Sequence, residues 1–236
     1  MINNSEYNED FNNLIGYLPE ERGLYRDVSV LDILVYAAVL RNIKKEEALS
    51  RSIEYLKKVD LYDHRDKEIA KLSSGMQQKV QLGTALIYEP EILILDEPFK
   101  GLDPVNRQLF VDILIERAKN GTTILYSTHV IDEAQKMADT LLIIKNGKSL
   151  EYGNVEKVRE KYGSKNIIID FVGKAPEKDN RLYSAIISNK RAEISPKSNI
   201  DSNEIIKNIL NQGVKIVDMT LDYPSLNQIF IELMKK

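Results

Sequence analysis

The sequence predicts an α/β fold in which a parallel sheet carries a helical subdomain and is followed by a small α+β domain. Three observations lead there. Ile92 to Leu95 is an unbroken aliphatic run stopped by Asp96, Glu97 and Pro98, and Thr122 to Tyr126 is a second apolar run ended by Ser127, Thr128 and His129. Continuous apolar runs of this length suit strands buried on both faces of a parallel sheet. Before the first run lie segments with helical spacing, and after Gly153 the pattern changes to short β-branched strands mixed with brief helices.

Composition narrows the function classes. The chain has 236 residues, 43% hydrophobic and 29% charged, which is ordinary for a globular protein long enough to bury a core. A net charge of -3 without a long basic block gives no ground for nucleic acid as a partner. There is no cysteine, so disulfides, thiolate chemistry and cysteine-based zinc sites are excluded. The longest strongly apolar run, Ile33 to Leu40, is far short of the roughly 20 residues a bilayer requires, so direct membrane insertion is not expected.

Taken in order, Met1 to Asn13 is rich in Asn and acids and reads as a loose leader. Leu14 to Leu18 is a brief strand running into a loop punctuated by Pro19 and Gly23. Ser29 caps a helix, with Asp32 as the reciprocal acid and Leu31, Leu34, Val35, Ala38 and Val39 as its apolar face. A second helix, Lys45 to Val59, shows Ala48, Leu49, Ile53 and Leu56 at helical spacing. His64 lies in the polar stretch Asp63 to Asp66 with no partner at metal-ligand spacing, and reads as a solvated loop residue.

Leu72 to Gln78 precedes a helix running through Val80, Leu82, Ala85 and Leu86. Ser73 and Ser74 are good N-caps and Gly75 permits close backbone approach, so the free amides of that helix end suit an anion such as a terminal phosphate. The acids Asp96 and Glu97 stand at the carboxyl end of their strand, where open α/β sheets bind ligands, and could serve a metal and a water. Beyond Gly101 to Pro104 and the strand ending at His129, Asp132 to Asp139 is a short helix. Asn146 and Gly147 turn a hairpin between Leu141–Ile144 and Lys148–Leu150. The remainder reads as helix 155–162, strands 166–172, 182–187, 192–194 and 214–219, and helices 203–210 and 226–234.

In order and spacing, Leu72–Gln78, Ile92–Pro98, Gly101–Pro104 and Ser127–His129 resemble the signature loop, Walker B strand, D-loop and switch histidine of the ATP-binding subunits of ABC transporters. The resemblance implies a partial P-loop NTPase core, the ABC cassette, over residues 1–154, with a helical subdomain at about 28–90. Residues 155–236 resemble the accessory α+β domain of the sodium-exporter-like branch. ATP and Mg2+ are the implied cofactors. Asp96 would hold magnesium, Glu97 would polarise the attacking water, and His129 would hydrogen-bond the γ-phosphate. Ser73, Ser74, Gly75 and Met76 would contact the γ-phosphate of ATP held by the opposite subunit, with Ser74 and Met76 departing from the usual Leu-Ser-Gly-Gly-Gln. Glu20 stands where the Q-loop usually has Gln, and a carboxylate there can still ligate magnesium or hold the water. Asp103 would communicate across the dimer. The implied partners are a transmembrane permease subunit and a second ATP-binding subunit, identical or not. That places the chain in the cytoplasm, on the inner face of the membrane.

The family also has a GxxxxGK[ST] phosphate loop, Walker A, and the 236 residues contain none. Only about fifteen residues precede the Q-loop, where a strand, loop and helix need at least ~30. The expectation is therefore an N-terminally truncated or split subunit, inactive alone and marginal in isolation, with the edge of the strand ending at His129 left open. The alternatives are a non-hydrolysing partner that completes another subunit's ATP site through its signature loop, a decayed gene fragment, or an ABC ATPase used outside transport. A phosphate loop encoded immediately upstream would favour the first reading.

Overall fold

Three parallel strands organise the first half of the chain: β1 (Ile15–Leu18), β2 (Ile92–Asp96) and β3 (Thr123–Ser127), in the order β1-β2-β3. These and all later features come from a computed structural model that describes residues 9–21, 23–163, 166–197 and 200–235. Most of the expected loose leader lies outside them; its end, Glu9–Asn13, forms a 3-10 helix. The chain divides into two compact units, 1–129 and 130–236.

Within the first unit, α1 (Val30–Val39), α2 (Lys45–Lys58) and α3 (Ser74–Leu86) fill the crossover from β1 to β2, and α4 (Pro104–Lys119) the crossover to β3. Ser29 caps α1 as expected, its Oγ accepting the Asp32 N–H at 3.0 Å and donating to the Asp32 carboxylate at 2.7 Å. The buried face of α1 is Val30, Ile33, Leu34 and Ala38, whereas Val39 of the expected face is exposed. The helix is apolar nearly all round, so periodicity cannot choose its side; packing does. Close packing is enforced by glycine. A Cβ on Gly16 of β1 would lie 2.5 Å from the Ala85 carbonyl of α3, and one on Gly83 would collide with the Tyr55 ring of α2.

Burial on both faces, expected of β2 and β3, is not what the sheet shows. Leu93 and Leu95 are buried on the face that meets α3, while Ile92 and Ile94 are only half-buried. Tyr17, Ile94 and Leu125 are in register across the opposite face, with Tyr17 55% and Leu125 63% exposed. The apolar runs are strands, as expected. Their burial is lower than expected because one sheet face carries no full cover among the described residues. β3 is an edge strand of this sheet.

The second unit begins with α5 (Ile131–Met137) and the antiparallel hairpin β4 (Thr140–Lys145) and β5 (Lys148–Asn154). Asn146 (φ 51°) and Gly147 (φ 73°) take the left-handed conformations that a type I′ turn requires. After α6 (Val155–Lys161), strands β6 (Asn166–Val172), β7 (Tyr183–Ser188), β8 (Arg191–Pro196) and β9 (Lys215–Asp222) form an antiparallel sheet in the order β7-β8-β6-β9. Its core joins Ile167, Ile169, Phe171, Tyr183 and Ile194 to Ile205 and Ile209 of α7 (Ser202–Asn211). A separate cluster packs Val155 of α6 against Leu226, Ile229 and Leu233 of α8 (Leu226–Lys235). The expected boundary after residue 154 follows the change of composition. By contacts the division falls between His129 and Val130, so α5 and the hairpin belong to the second unit.

Candidate functional site

Because β1, β2 and β3 run parallel with Leu18, Leu95 and Tyr126 in register, the loops after them emerge on one edge of the sheet. That carboxyl edge gathers Glu20, Asp96, Glu97, Ser127 and His129. The Ser127 hydroxyl donates to Asp96 Oδ1 and also accepts the Glu97 N–H at 3.3 Å, while the Ser127 carbonyl accepts the same N–H at 3.2 Å. The end of β3 thus fixes both acids at the end of β2.

Glu97 adopts φ +47°, in the left-handed region that non-glycine residues rarely enter. Other non-glycine residues there lie within three residues of a helix end or in hairpin turns, as Asp60 and Asn189 do; Glu97 follows a parallel strand. The bend turns its side chain toward β3. Glu97 Oε1 accepts the His129 backbone N–H at 2.9 Å and faces His129 Nδ1 at 2.8 Å. An ionised carboxylate has only lone pairs to offer, so Nδ1 carries the proton in this pairing. Nε2 is then a lone pair in neutral His129 and a donor only in the imidazolium form. The carboxylate is 18% exposed and the imidazole 74%, so the ring presents its outer nitrogen to solvent. Such a pair can orient a water on the free Glu97 oxygen while His129 donates toward an anion.

Glu20 follows β1 and pairs through Oε1 with Lys100 Nζ in the loop after the acids. Hydrogen bonding to Glu20 holds the Lys100 ammonium above its usual lysine range. The backbone around Glu20 is tied to α3, where the Gln81 amide nitrogen donates to the Pro19 carbonyl at 3.1 Å and to the Glu21 carbonyl at 3.2 Å. Gln78, one turn earlier, donates to the Pro98 carbonyl at 3.4 Å.

Ser73 caps α3, its Oγ accepting the Met76 N–H at 3.3 Å, with Ser74 and Gly75 in the first turn. Gln77 donates to the Leu72 carbonyl at 3.1 Å and so pins the loop from behind. Asp103 caps α4, Oδ1 accepting the N–H groups of Val105 at 3.0 Å and Asn106 at 3.1 Å. Those bonds, the Asn106 amide first, hold its carboxyl below the usual carboxylate range. A Cβ on Gly75 would lie 3.8 Å from Asn106 Nδ2, so the starts of α3 and α4 are neighbours.

The structure therefore brings Asp96, Glu97 and His129 together, sets Glu20 on the same edge with a lysine partner, and puts Ser73 to Met76 and Asp103 at two adjacent helix starts. No group of three or more His, Cys, Asp or Glu among the described residues could hold a metal unaided. This fits magnesium, which takes one or two carboxylates and completes its shell with phosphate oxygens and water. Asp96, with Oδ1 taken by Ser127, has Oδ2 with which it could ligate such an ion. Sequence reasoning assigned no role to Ser127, Lys100, Gln78 or Gln81; the last two stand among the apolar residues of the buried side of their helix, where the sequence shows a polar residue but not its partner. His64 closes a 3-10 helix, Tyr62–His64, with Nδ1 buried and without a hydrogen-bond partner, rather than standing in a solvated loop.

Residues 2–100 match the family model described as "ABC transporter", and residues 153–234 match "ATP-binding protein DrrA1-3-like, C-terminal domain". The chain is 36% identical over 231 residues to the uncharacterized ABC transporter ATP-binding protein YhaQ of Bacillus subtilis, covering 95% of this chain and 76% of YhaQ. It is 46% identical over 153 residues to the uncharacterized ABC transporter ATP-binding protein MJ1023 of Methanocaldococcus jannaschii, covering 64% of this chain and 58% of MJ1023. A solved structure titled "Structure of ATP binding subunit of ABC transporter" superposes with TM-score 0.60 at 30% identity, over 64% of this chain and 62% of that one.

Proposed function

The chain belongs to the family of ABC transporter ATP-binding proteins, and from that premise we propose that it serves an exporter as its nucleotide-binding subunit, with hydrolysis at a dimer interface driving a membrane permease. The observation that carries this reading is the Glu97–His129 pair beside Asp96 at the carboxyl edge of the parallel sheet. Bound Mg-ATP would supply the phosphoryl group and the charge neutralisation that its transfer requires. Glu97 would orient the attacking water and take its proton, His129 would donate to a γ-phosphate oxygen, and Asp96 would hold the metal. Ser73 to Met76 would face the ATP of the second subunit, and Asp103 would stand between the two sites. The match of residues 153–234 to the DrrA1-3-like C-terminal domain supports export, and α1 to α3 would offer the surface that receives the permease.

The 236 residues hold no GxxxxGK[ST], so on their own they lack the amides and lysine that grip the β- and γ-phosphates. Charge-assisted hydrogen bonds contribute about 1.5–3 kcal/mol each, and the absence of three at about 2 kcal/mol weakens ATP binding roughly 10⁴-fold. This polypeptide alone is accordingly expected not to turn over ATP. No helix among the described residues is long and apolar enough to cross a membrane. Attachment at the inner face would run through the permease.

A second reading, a half-site partner that lends only its signature loop, is favoured by the formed and capped start of α3. The test is ATP hydrolysis by this chain alone and with a phosphate-loop segment (strand, GxxxxGK[ST] loop and helix) fused ahead of it, each as wild type and as Glu97→Gln. No turnover alone and a Glu97-dependent rate in the fusion supports the subunit reading. A silent fusion, with the unfused chain stimulating a complete ATP-binding subunit equally as wild type and as Glu97→Gln, supports the half-site partner, and turnover by the isolated chain removes the phosphate-loop argument.

A further inference from the structure

The loop that carries Glu20 is tied to a helix by a buried side chain whose geometry permits only one chemistry. Gln81 is 3% exposed, and its amide nitrogen reaches two main-chain carbonyls, Pro19 and Glu21, which flank Glu20 on either side. A flipped amide would put an oxygen against both carbonyls, so the donor orientation is dictated by its surroundings. Gln81 Oε1 is buried without a hydrogen-bond partner, so the side chain serves its donors alone. The same helix reaches the loop after the acids through Gln78 and Pro98, and the two loops are joined to each other by Glu20 and Lys100. The ties close a triangle whose rigid side is α3, the helix that begins at Ser73 and Ser74.

We infer that Gln81 is a positioning residue: its two donors set the Glu20 loop relative to α3, so that the loop and the signature-loop end of the helix move together. The functional weight of this rests on the nucleotide-site reading of Glu20, whereas the contact itself can be tested without any hydrolysis.

The discriminating substitutions are Gln81→Met, which keeps size and removes both donors, and Gln81→Glu. In the second variant an ionised side chain places a carboxylate against two carbonyls and releases the loop, while the protonated acid recovers an O–H donor. The readout is the 13C resonances of the Pro19 and Glu21 carbonyls, which accept the two bonds, each referred to wild type at the same pH. Gln81→Met is expected to shift both carbonyl resonances in the direction of lost hydrogen bonds. Gln81→Glu is expected to resemble wild type at low pH and Gln81→Met at high pH. A purely space-filling residue would give no such pH step. Unshifted Pro19 and Glu21 carbonyls in Gln81→Met, or a Gln81→Glu profile parallel to wild type, overturns the proposal. If Gln81→Met fails to fold, Gln81→Glu decides alone, because its low-pH form is its own control. Shifted carbonyls with unchanged ATPase, in a chain completed by a phosphate-loop segment, would instead indict the nucleotide-site reading of Glu20 and leave the contact standing.

Discussion

At the scale of single residues, the consequences of the acid–histidine pair can be separated. Glu97→Gln keeps the size and an oxygen for the His129 N–H, and loses the base. With a phosphate-loop segment fused ahead of the chain to complete its site, this substitution should lower steady-state hydrolysis ~10²–10⁴-fold, the usual reach of general base catalysis. In the second unit, Glu151 is buried and receives hydrogen bonds from Lys161 Nζ and the Tyr162 hydroxyl, both at 2.7 Å. Lys161 and Tyr162 hold the Glu151 carboxyl below its usual range, and the hydrogen bond to Glu151 pushes the Tyr162 phenol up to about 12. The depressed acid stabilises the fold above its unfolded pKa, and that contribution is lost as pH falls below it. The raised phenol stabilises below about 10, the unfolded value, and the gain disappears as pH rises through about 12. Thermal unfolding followed by circular dichroism should show both losses, and Glu151→Gln should flatten them. Asp96, Glu97 and His129 were legible in the sequence because each ends a strand in a recognisable phrase. Ser127, Lys100 and Gln81 were not, since their roles arise from strand register and from partners distant in sequence.

At the scale of elements, local signals served well wherever they were local. Ser29, Ser73 and Asp103 cap the helices that follow them, and the end helices begin and stop within a residue of expectation. Asp103→Ala should cost about 0.5–2 kcal/mol in urea denaturation, the worth of an N-cap, whether or not Asp103 also acts across a dimer. The buried side of α1 differs from the expected one because an apolar helix offers period without polarity. Glycine contacts were illegible for a related reason, since a missing Cβ says nothing about what approaches it. Gly83→Ala and Gly16→Ala should each destabilise the first unit by about 1–3 kcal/mol, as overpacking does, seen as a lower urea midpoint at unchanged slope.

For the whole molecule, the parallel sheet and the appended α+β unit were readable from the alternation of run lengths, and the cover of the sheet was not. A strand's apolar residues report that a face wants burial, not which segment supplies it. As described, β3 leaves an edge and a face with Tyr17, Ile94 and Leu125 insufficiently covered, the arrangement that favours strand-to-strand association. The isolated 236-residue chain should therefore gain light scattering with concentration, and Leu125→Lys should suppress it without lowering the unfolding midpoint. A monodisperse wild-type sample at high concentration would contradict this.

The left-handed backbone of Glu97 has a consequence for descent. Glycine would occupy φ +47° without steric penalty, and asparagine with less than glutamate, so the residue is held there against local preference. In a lineage where the site had fallen out of use, mutation would drift that codon toward Gly or Asn, relaxing the turn while discarding the carboxylate. Strains that still encode Glu97 beside His129 would be those in which selection has not let go.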